Sequence, residues 1–306
     1  MHFLSIQRLL GLMLMIFSVA LLPPVVVSWL YHDGEMHVFL TGAALVFVVG
    51  LLCWLPAHRF REELRVRDGF LVVVLFWVML GLAGALPLAL SERPVMSVTD
   101  AVFESLSGLT TTGATVITGL DKLPASILFY RQQLQWLGGM GIIVLAVAIM
   151  PMLGVGGMQL YRAETPGPLK DTKLTPRITE TAKALWYIYL GLTIACGACY
   201  WLAGMSIFDA IGHSFSTVAI GGFSTHDLSI GYFRSSTIEL IAVVFMLLAG
   251  MNYALHFLSW RSLSLMPYIR DTEVKAYLGV IAVLIAITVA YLYYTHTFVY
   301  FSEAMH

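Results

Sequence analysis

The sequence predicts an all-α integral membrane protein built on an internal repeat, and three observations carry that prediction. Of 306 residues, 59% are hydrophobic and 11% charged, where soluble domains carry about 25% charged residues. Seven stretches meet the roughly 20 apolar residues that a spanning helix needs, at 7–30, 37–56, 69–90, 126–150, 180–203, 236–260 and 274–297. The chain also resembles itself at a shift of 109 positions: Trp77 aligns with Trp186, Asp100-Ala101 with Asp209-Ala210, Ser105 with Ser214, Ser107 with Ser216, Gly113 with Gly222 and Gly141 with Gly250, without a gap. No strand-period alternation competes with the spans.

The first span is too long for a signal-peptide core, and Pro23-Pro24 stands near its far end in place of a small-residue cleavage site, so it reads as retained. Lys and Arg set the expected topology. Arg8, Arg59, Arg61, Arg65, Arg67, Arg162, Lys170, Lys173, Arg177, Lys183, Arg261, Arg270 and Lys275 collect on one side, against Arg93, Lys122, Arg131 and Arg234 on the other. Thirteen against four predicts a cytoplasmic N-terminus, with the loops at 31–36, 91–125 and 204–235 outside. Bulk soluble segments are absent, so any regulatory domain is expected on a separate protein. The net charge of −1 says nothing about partners, and no nucleic-acid partner is expected. Cys53, Cys196 and Cys199 fall within spans. Cys196-Gly197-Ala198-Cys199 has redox spacing, but a thiol pair in lipid lacks an exchange partner and reads as small residues at a helix contact.

Each repeat comprises a span, an Asp-Ala start, a short segment ending in a glycine-containing polar run, and a second span. Two full spans per unit return the chain to the same side, so the repeats are parallel, around an axis along the membrane normal, unlike inverted repeats. A third copy begins with 274–297, where Lys275 corresponds to Lys183 and Ser302-Glu303-Ala304 resembles Phe208-Asp209-Ala210. The short segments, 100–109 and 209–219, are about 15 Å long, half of a bilayer core of about 30 Å, with Thr99 or Asp100 as the expected N-cap of the first. A helix that stops at mid-membrane leaves carbonyls and a partial negative charge at its C-terminus. The loops that follow, Thr110–Thr115 and Ala219–Ser224, therefore begin where a cation is favoured. Glycine permits positive φ, which turns successive carbonyls toward one axis, and carbonyl rings are how a cation is dehydrated and selected. The expectation is a cation pore.

The stretches "GFLVVVLFW", "FESLSGLTTTGAT", "RQQLQWLGGMGIIVLAVAIMP", "GVGGMQLYRAETPGPLKD" and "DAIGHSFSTVAIGGFSTHD" resemble the Trk/Ktr/HKT superfamily of potassium transporters, most closely its bacterial TrkH-type branch, over essentially the whole chain. The resemblance implies a span pair followed by four pseudo-fourfold repeats, each of span, pore helix, filter loop and span. It implies domains at 1–66 (span pair), 67–160 and 161–268 (pore repeats 1 and 2) and 269–306 (start of repeat 3). Gly113 and Gly222 become the filter glycines, and the carbonyls of Thr111, Thr112, Ile220 and Gly221 face the ion. Gly113 favours potassium, since some relatives with serine there prefer sodium. The resemblance further implies a bacterial inner-membrane location, a homodimer, a TrkA-type nucleotide-binding regulatory ring on the cytosolic side, potassium as the transported ion and no organic cofactor. Two complete repeats do not close a ring, so the chain is expected to be part of a longer transporter or else to pair with a second copy.

Asp100 and Asp209 read as helix caps, with attraction of cations at the outer mouth as the functional alternative. Glu104 and His213 occupy equivalent places one turn into each pore helix and are expected to brace the filters from behind or touch the ion. His226 and Asp227 belong to a wet vestibule. Gly138-Gly139-Met140-Gly141 is a close helix contact or a hinge. Asn252 lines the inner pore or bonds a neighbouring helix. The basic, proline-rich loop Tyr161–Arg177 satisfies the positive-inside rule and is where a cytosolic ring would touch. Ion-coupled symport with protons or sodium is the alternative mechanism. An intramembrane enzyme using His213 with Asp209 or Glu104 lacks a nucleophile motif or metal-ligand set, and no enzymatic activity is expected.

Overall fold

The computed structural model describes residues 3–60, 66–141 and 178–295. The end of the expected span at 126–150, the loop Tyr161–Arg177 and Ser302-Glu303-Ala304 lie outside the described residues. Among those described, five helices are long and apolar enough to cross a membrane: Phe3–Tyr31, Met36–Ala57, Phe70–Leu90, Lys183–Leu202 and Thr272–Tyr294. The chain divides into two compact units, Met1–Met246 and Leu247–His306.

In the first unit the N-terminal span is two helices, α1 (Phe3–Val19) and α2 (Leu22–Tyr31), with Pro23 and Pro24 in the first turn of α2. Proline costs little there because a first-turn N–H has no helical partner. Pro24 nevertheless cannot donate to the carbonyl of Ala20, and the Gln133 side-chain amide does so instead at 2.8 Å. Helix α3 (Met36–Ala57) lies tight on α1: a Cβ on Gly11 would stand 2.7 Å from the Gly50 carbonyl oxygen, and one on Gly50 2.8 Å from that of Gly11. Small residues here permit backbone approach, the usual basis of helix contact in lipid.

Next come α4 (Val66–Leu90), the short α5 (Val98–Leu109) and α6 (Ala125–Gly139). The second repeat supplies α7 (Ile178–Leu202), the short α8 (Ile207–Val218) and α9 (Ser236–Ala249). Leu88, Ile127, Tyr130 and Leu134 are fully buried where α4 meets α6, and the Tyr130 hydroxyl donates to the Gly84 carbonyl at 2.8 Å. The three loops expected on one side do share a face. Asp33 accepts from the Ser126 backbone N–H at 2.8 Å, Tyr31 and Phe208 are ring neighbours at 5.2 Å, and Asp227 accepts from Gly119 N–H at 2.9 Å.

One expected loop charge and one expected span are corrected. Midway along α6 a polar run, Arg131, Gln132, Gln133 and Gln135, is buried against protein, so Arg131 is no loop charge. The span at 236–260 is interrupted: α9 ends at Ala249 and a new helix, α10 (Tyr253–Ser262), begins after Asn252. The Asn252 Oδ1 caps α10 by accepting from Ala254 N–H at 3.0 Å. The second unit continues through α11 (Met266–Arg270) to α12 (Thr272–Tyr294), capped by Asp271. His256 ties α10 to the end of α9 and to α11, through the Leu248 carbonyl at 2.9 Å and the Tyr268 hydroxyl at 2.6 Å.

Candidate functional site

The two short helices are the same structure displaced by 109 positions. Helix α5 at Val98–Leu109 and α8 at Ile207–Val218 match end for end. Neither Thr99 nor Asp100 is the cap expected for the first. The N-cap is Ser97, which accepts from Asp100 N–H at 3.1 Å while its hydroxyl donates to Asp100 Oδ2 at 2.8 Å. Ser206 does the same with Asp209 at 3.0 and 2.7 Å. Each aspartate is the third helical residue of a serine box and adds a negative charge beside the positive end of the helix dipole.

At the other end the loop N–H groups fold back onto the helix. Thr110, Thr111 and Thr112 donate to the carbonyls of Leu106, Gly108 and Ser107 at 2.8, 3.0 and 2.9 Å; Ala219, Ile220 and Gly221 donate to Phe215, Thr217 and Ser216 at 3.1, 3.1 and 2.8 Å. The last helical carbonyls are thereby satisfied, and the loop's own carbonyls are left over. Among the described residues no protein donor pairs with those of Thr111, Thr112, Gly113, Ile220 or Gly221. Left-handed backbone recurs in register: Gly113 and Gly222 have φ of 76° and 83°, as the sequence leads one to expect, and so do Thr111 and Ile220, at 55° and 54°. For β-branched residues this is strained by about 1–3 kcal/mol, and it occurs at the same place twice. The loops also meet: a Cβ on Gly113 would stand 2.0 Å from the Gly221 carbonyl oxygen.

Behind each loop stands the residue expected to brace it. Glu104, fully buried, accepts from the Thr115 hydroxyl at 2.9 Å, from Val116 N–H at 3.2 Å and from Arg131 Nε at 2.7 Å. In the second repeat His213 faces Ser224 Oγ through Nε2 and the Asp209 carbonyl through Nδ1, both at 2.9 Å. A carbonyl only accepts, which places the proton on Nδ1 and leaves Nε2 to accept from the serine. Thr115 and Ser224 are 109 positions apart and accept from Ile117 and His226 N–H at 3.1 and 3.0 Å.

Further residues tie the repeats together. Arg131 carries its charge from Glu104 across to the second loop, donating to the Ser224 carbonyl at 3.3 Å and lying 4.4 Å over the Phe223 ring. Gln135 Oε1 accepts from Phe223 N–H at 3.0 Å. On the face shared by the three loops Asp227 accepts from Gly119 and Leu120 N–H, and His226 contacts Asp121, which it holds below the usual carboxylate range. The glycines of 138–141 are close contacts: Cβ atoms on Gly138, Gly139 and Gly141 would stand 1.9 Å from the Leu109 carbonyl, 2.6 Å from the Tyr189 hydroxyl and 2.9 Å from the Trp77 ring. The sequence signal available for Arg131 was an ionisable residue inside a stretch otherwise fit to span, which marks a functional position by default.

An all-helical membrane protein carrying two re-entrant helices in tandem is the class this fold defines. The family profile described as "TrkH: Cation transport protein" matches residues 35–302, and the chain belongs to that family. A Trk system potassium uptake protein TrkH of Vibrio parahaemolyticus is 61% identical over 280 residues, covering 91% of this chain and 58% of the relative. That of Escherichia coli K12 is 55% identical over 298 residues, covering 97% and 62%. The crystal structure of the potassium transporter TrkH from Vibrio parahaemolyticus superposes with a TM-score of 0.86 at 53% identity, over 100% of this chain and 62% of that one. The chain thus spans about three-fifths of the length of the relatives it matches.

Proposed function

We propose that this chain supplies two quarters of a gated pore for potassium uptake across the bacterial inner membrane, selective through backbone carbonyls. One observation carries the reading: two helices in register end in loops whose carbonyls meet no protein donor among the described residues, held by strained backbone at Thr111 and Ile220. Carbonyls left free at the negative end of a helix dipole are the ligands a dehydrated cation requires. In this reading Gly113 and Gly222 are the filter glycines, Thr111, Thr112, Ile220 and Gly221 present carbonyls to the ion, Glu104 and His213 support the loops, and Asp100 and Asp209 sit at the outer mouth. The domains are the span pair at 1–66, pore repeats at 67–160 and 161–268, and the start of a third at 269–306. The N-terminus is cytoplasmic, the working assembly a homodimer, and a TrkA-type ring the cytosolic regulator. The relatives' names support potassium as the ion.

The test is potassium-limited growth of an uptake-deficient bacterium expressing either the 306-residue chain or a version extended to its relatives' length. Rescue by the extended form, with Gly113→Ser weakening its preference for potassium over sodium, is the expected result. Rescue with ion preference untouched by serine at both Gly113 and Gly222 overturns the filter reading.

A further inference from the structure

The second loop is held by two glutamines of the first repeat. Gln132 and Gln135 lie three apart on α6, hence on one face, and both are fully buried. Gln135 Oε1 accepts from Phe223 N–H at 3.0 Å, and Gln132 Nε2 donates to the Phe223 carbonyl at 3.4 Å. The Phe223 N–H can only donate, which assigns the amide orientation of Gln135. Its Nε2, with no hydrogen-bond partner among the described residues, is left beside the loops, 3.8 Å from where a Cβ of Gly113 would lie.

Two glycines make room for these amides. A Cβ on Gly221 would fall 2.3 Å from Gln135 Cδ, and one on Gly212 would fall 1.8 Å from Gln132 Oε1. Gly221 has no positive φ to account for it; the amide of Gln135 occupies the space a side chain would need. The arrangement is not repeated. At the positions 109 earlier stand Phe103 and Thr112 in place of the glycines, and 109 later stand Ile241 and Val244 in place of the glutamines.

We propose that Gln135 is a selectivity-positioning residue: by holding the Phe223 N–H it sets the direction of the Gly222 carbonyl. The two groups belong to one planar peptide unit and point opposite ways, so a fixed N–H fixes the carbonyl. The inference rests on the filter reading above and adds that the ion preference of the second loop is set by a side chain of the first repeat.

The experiment measures the ratio of radioactive rubidium to sodium uptake by the full-length gene product in liposomes. Gln135→Met keeps the shape and removes the acceptor, leaving a buried N–H unpaired, and the ratio is expected to fall about ten-fold. Gln135→Glu keeps an acceptor and is expected to stay within about three-fold. Gly221→Ala reaches the same contact from the other side by expelling the amide, and serves if Gln135→Met does not fold. A folded Gln135→Met or Gly221→Ala protein with the wild-type ratio overturns the proposal, provided Gly113→Ser lowers it. If Gly113→Ser and Gly222→Ser also leave the ratio unchanged, the filter reading itself fails.

Discussion

In the first repeat the hydroxyl of Thr115 is held by a buried ion pair, Glu104 with Arg131; in the second its counterpart Ser224 is held by His213, and the residue 109 positions after the arginine is Leu240, which is exposed. The backbones they hold are alike to within a few degrees of φ at Thr111 and Ile220. What is shared is therefore a loop conformation, and the side chains behind it vary so long as the hydroxyl has a partner. The two braces differ in how they fail. An intact buried ion pair adds little over a well-packed apolar pair but is costly to break in half, whereas a neutral hydrogen bond contributes about 1 kcal/mol.

That difference is open to direct attack. Arg131→Met strands the Glu104 carboxylate in the core and is expected to cost about 3–5 kcal/mol, seen as a lower melting temperature in detergent. Adding Glu104→Gln recovers more than half, and a double variant no better than the single breaks the comparison. His213→Glu installs the first repeat's carboxylate without its guanidinium, for a loss of about 2–3 kcal/mol. His213→Gln is expected to cost only about 1 kcal/mol. Ser97→Ala and Ser206→Ala each remove an N-cap and are expected to cost about 1 kcal/mol; clearly unequal losses in thermal unfolding contradict a common helix start.

The smallest effect is a pH dependence at the start of α6. Burial pushes the Asp33 carboxyl up, but hydrogen bonds from Ser28, Ser126 and Glu35 outweigh it and leave the pKa below its ordinary value. Its stabilisation is then fully present above the unfolded value of about 3.9 and disappears as pH falls through the lower folded value. The melting difference between wild type and Asp33→Asn is expected to be constant from about pH 7 to about pH 5 and to vanish in stronger acid.

The repeat, the two half-helices and the glycine loops were legible because they are local patterns, readable from spacing and caps. The residues that bind repeat to repeat were not. Arg131 served as a marker of topology because a lysine-arginine count treats every charge as a loop charge; its partner Glu104 lies 27 positions away on another helix. Gln135 and Phe223 are 88 apart, and nothing in a single sequence links them. The break at 250–252 was hidden by hydropathy, although Gly250 and Asn252 are ordinary stop and start residues. Ser97, Thr99 and Asp100 are all good caps by type, and only the geometry of the box separates them.

The polar side of α6 also bears on how such a chain is made. Synthesis delivers the N-terminal end first, so Ala20 and Glu104 exist in time to receive Gln133 and Arg131, but Phe223 and Ser224 emerge some 90 residues after the helix that binds them. An arginine and three glutamines within five residues disfavour insertion into lipid. Helix α6 is therefore a poor candidate to settle in lipid by itself, and the later repeat acts on the ribosome's product as the missing half of an earlier segment's solvent.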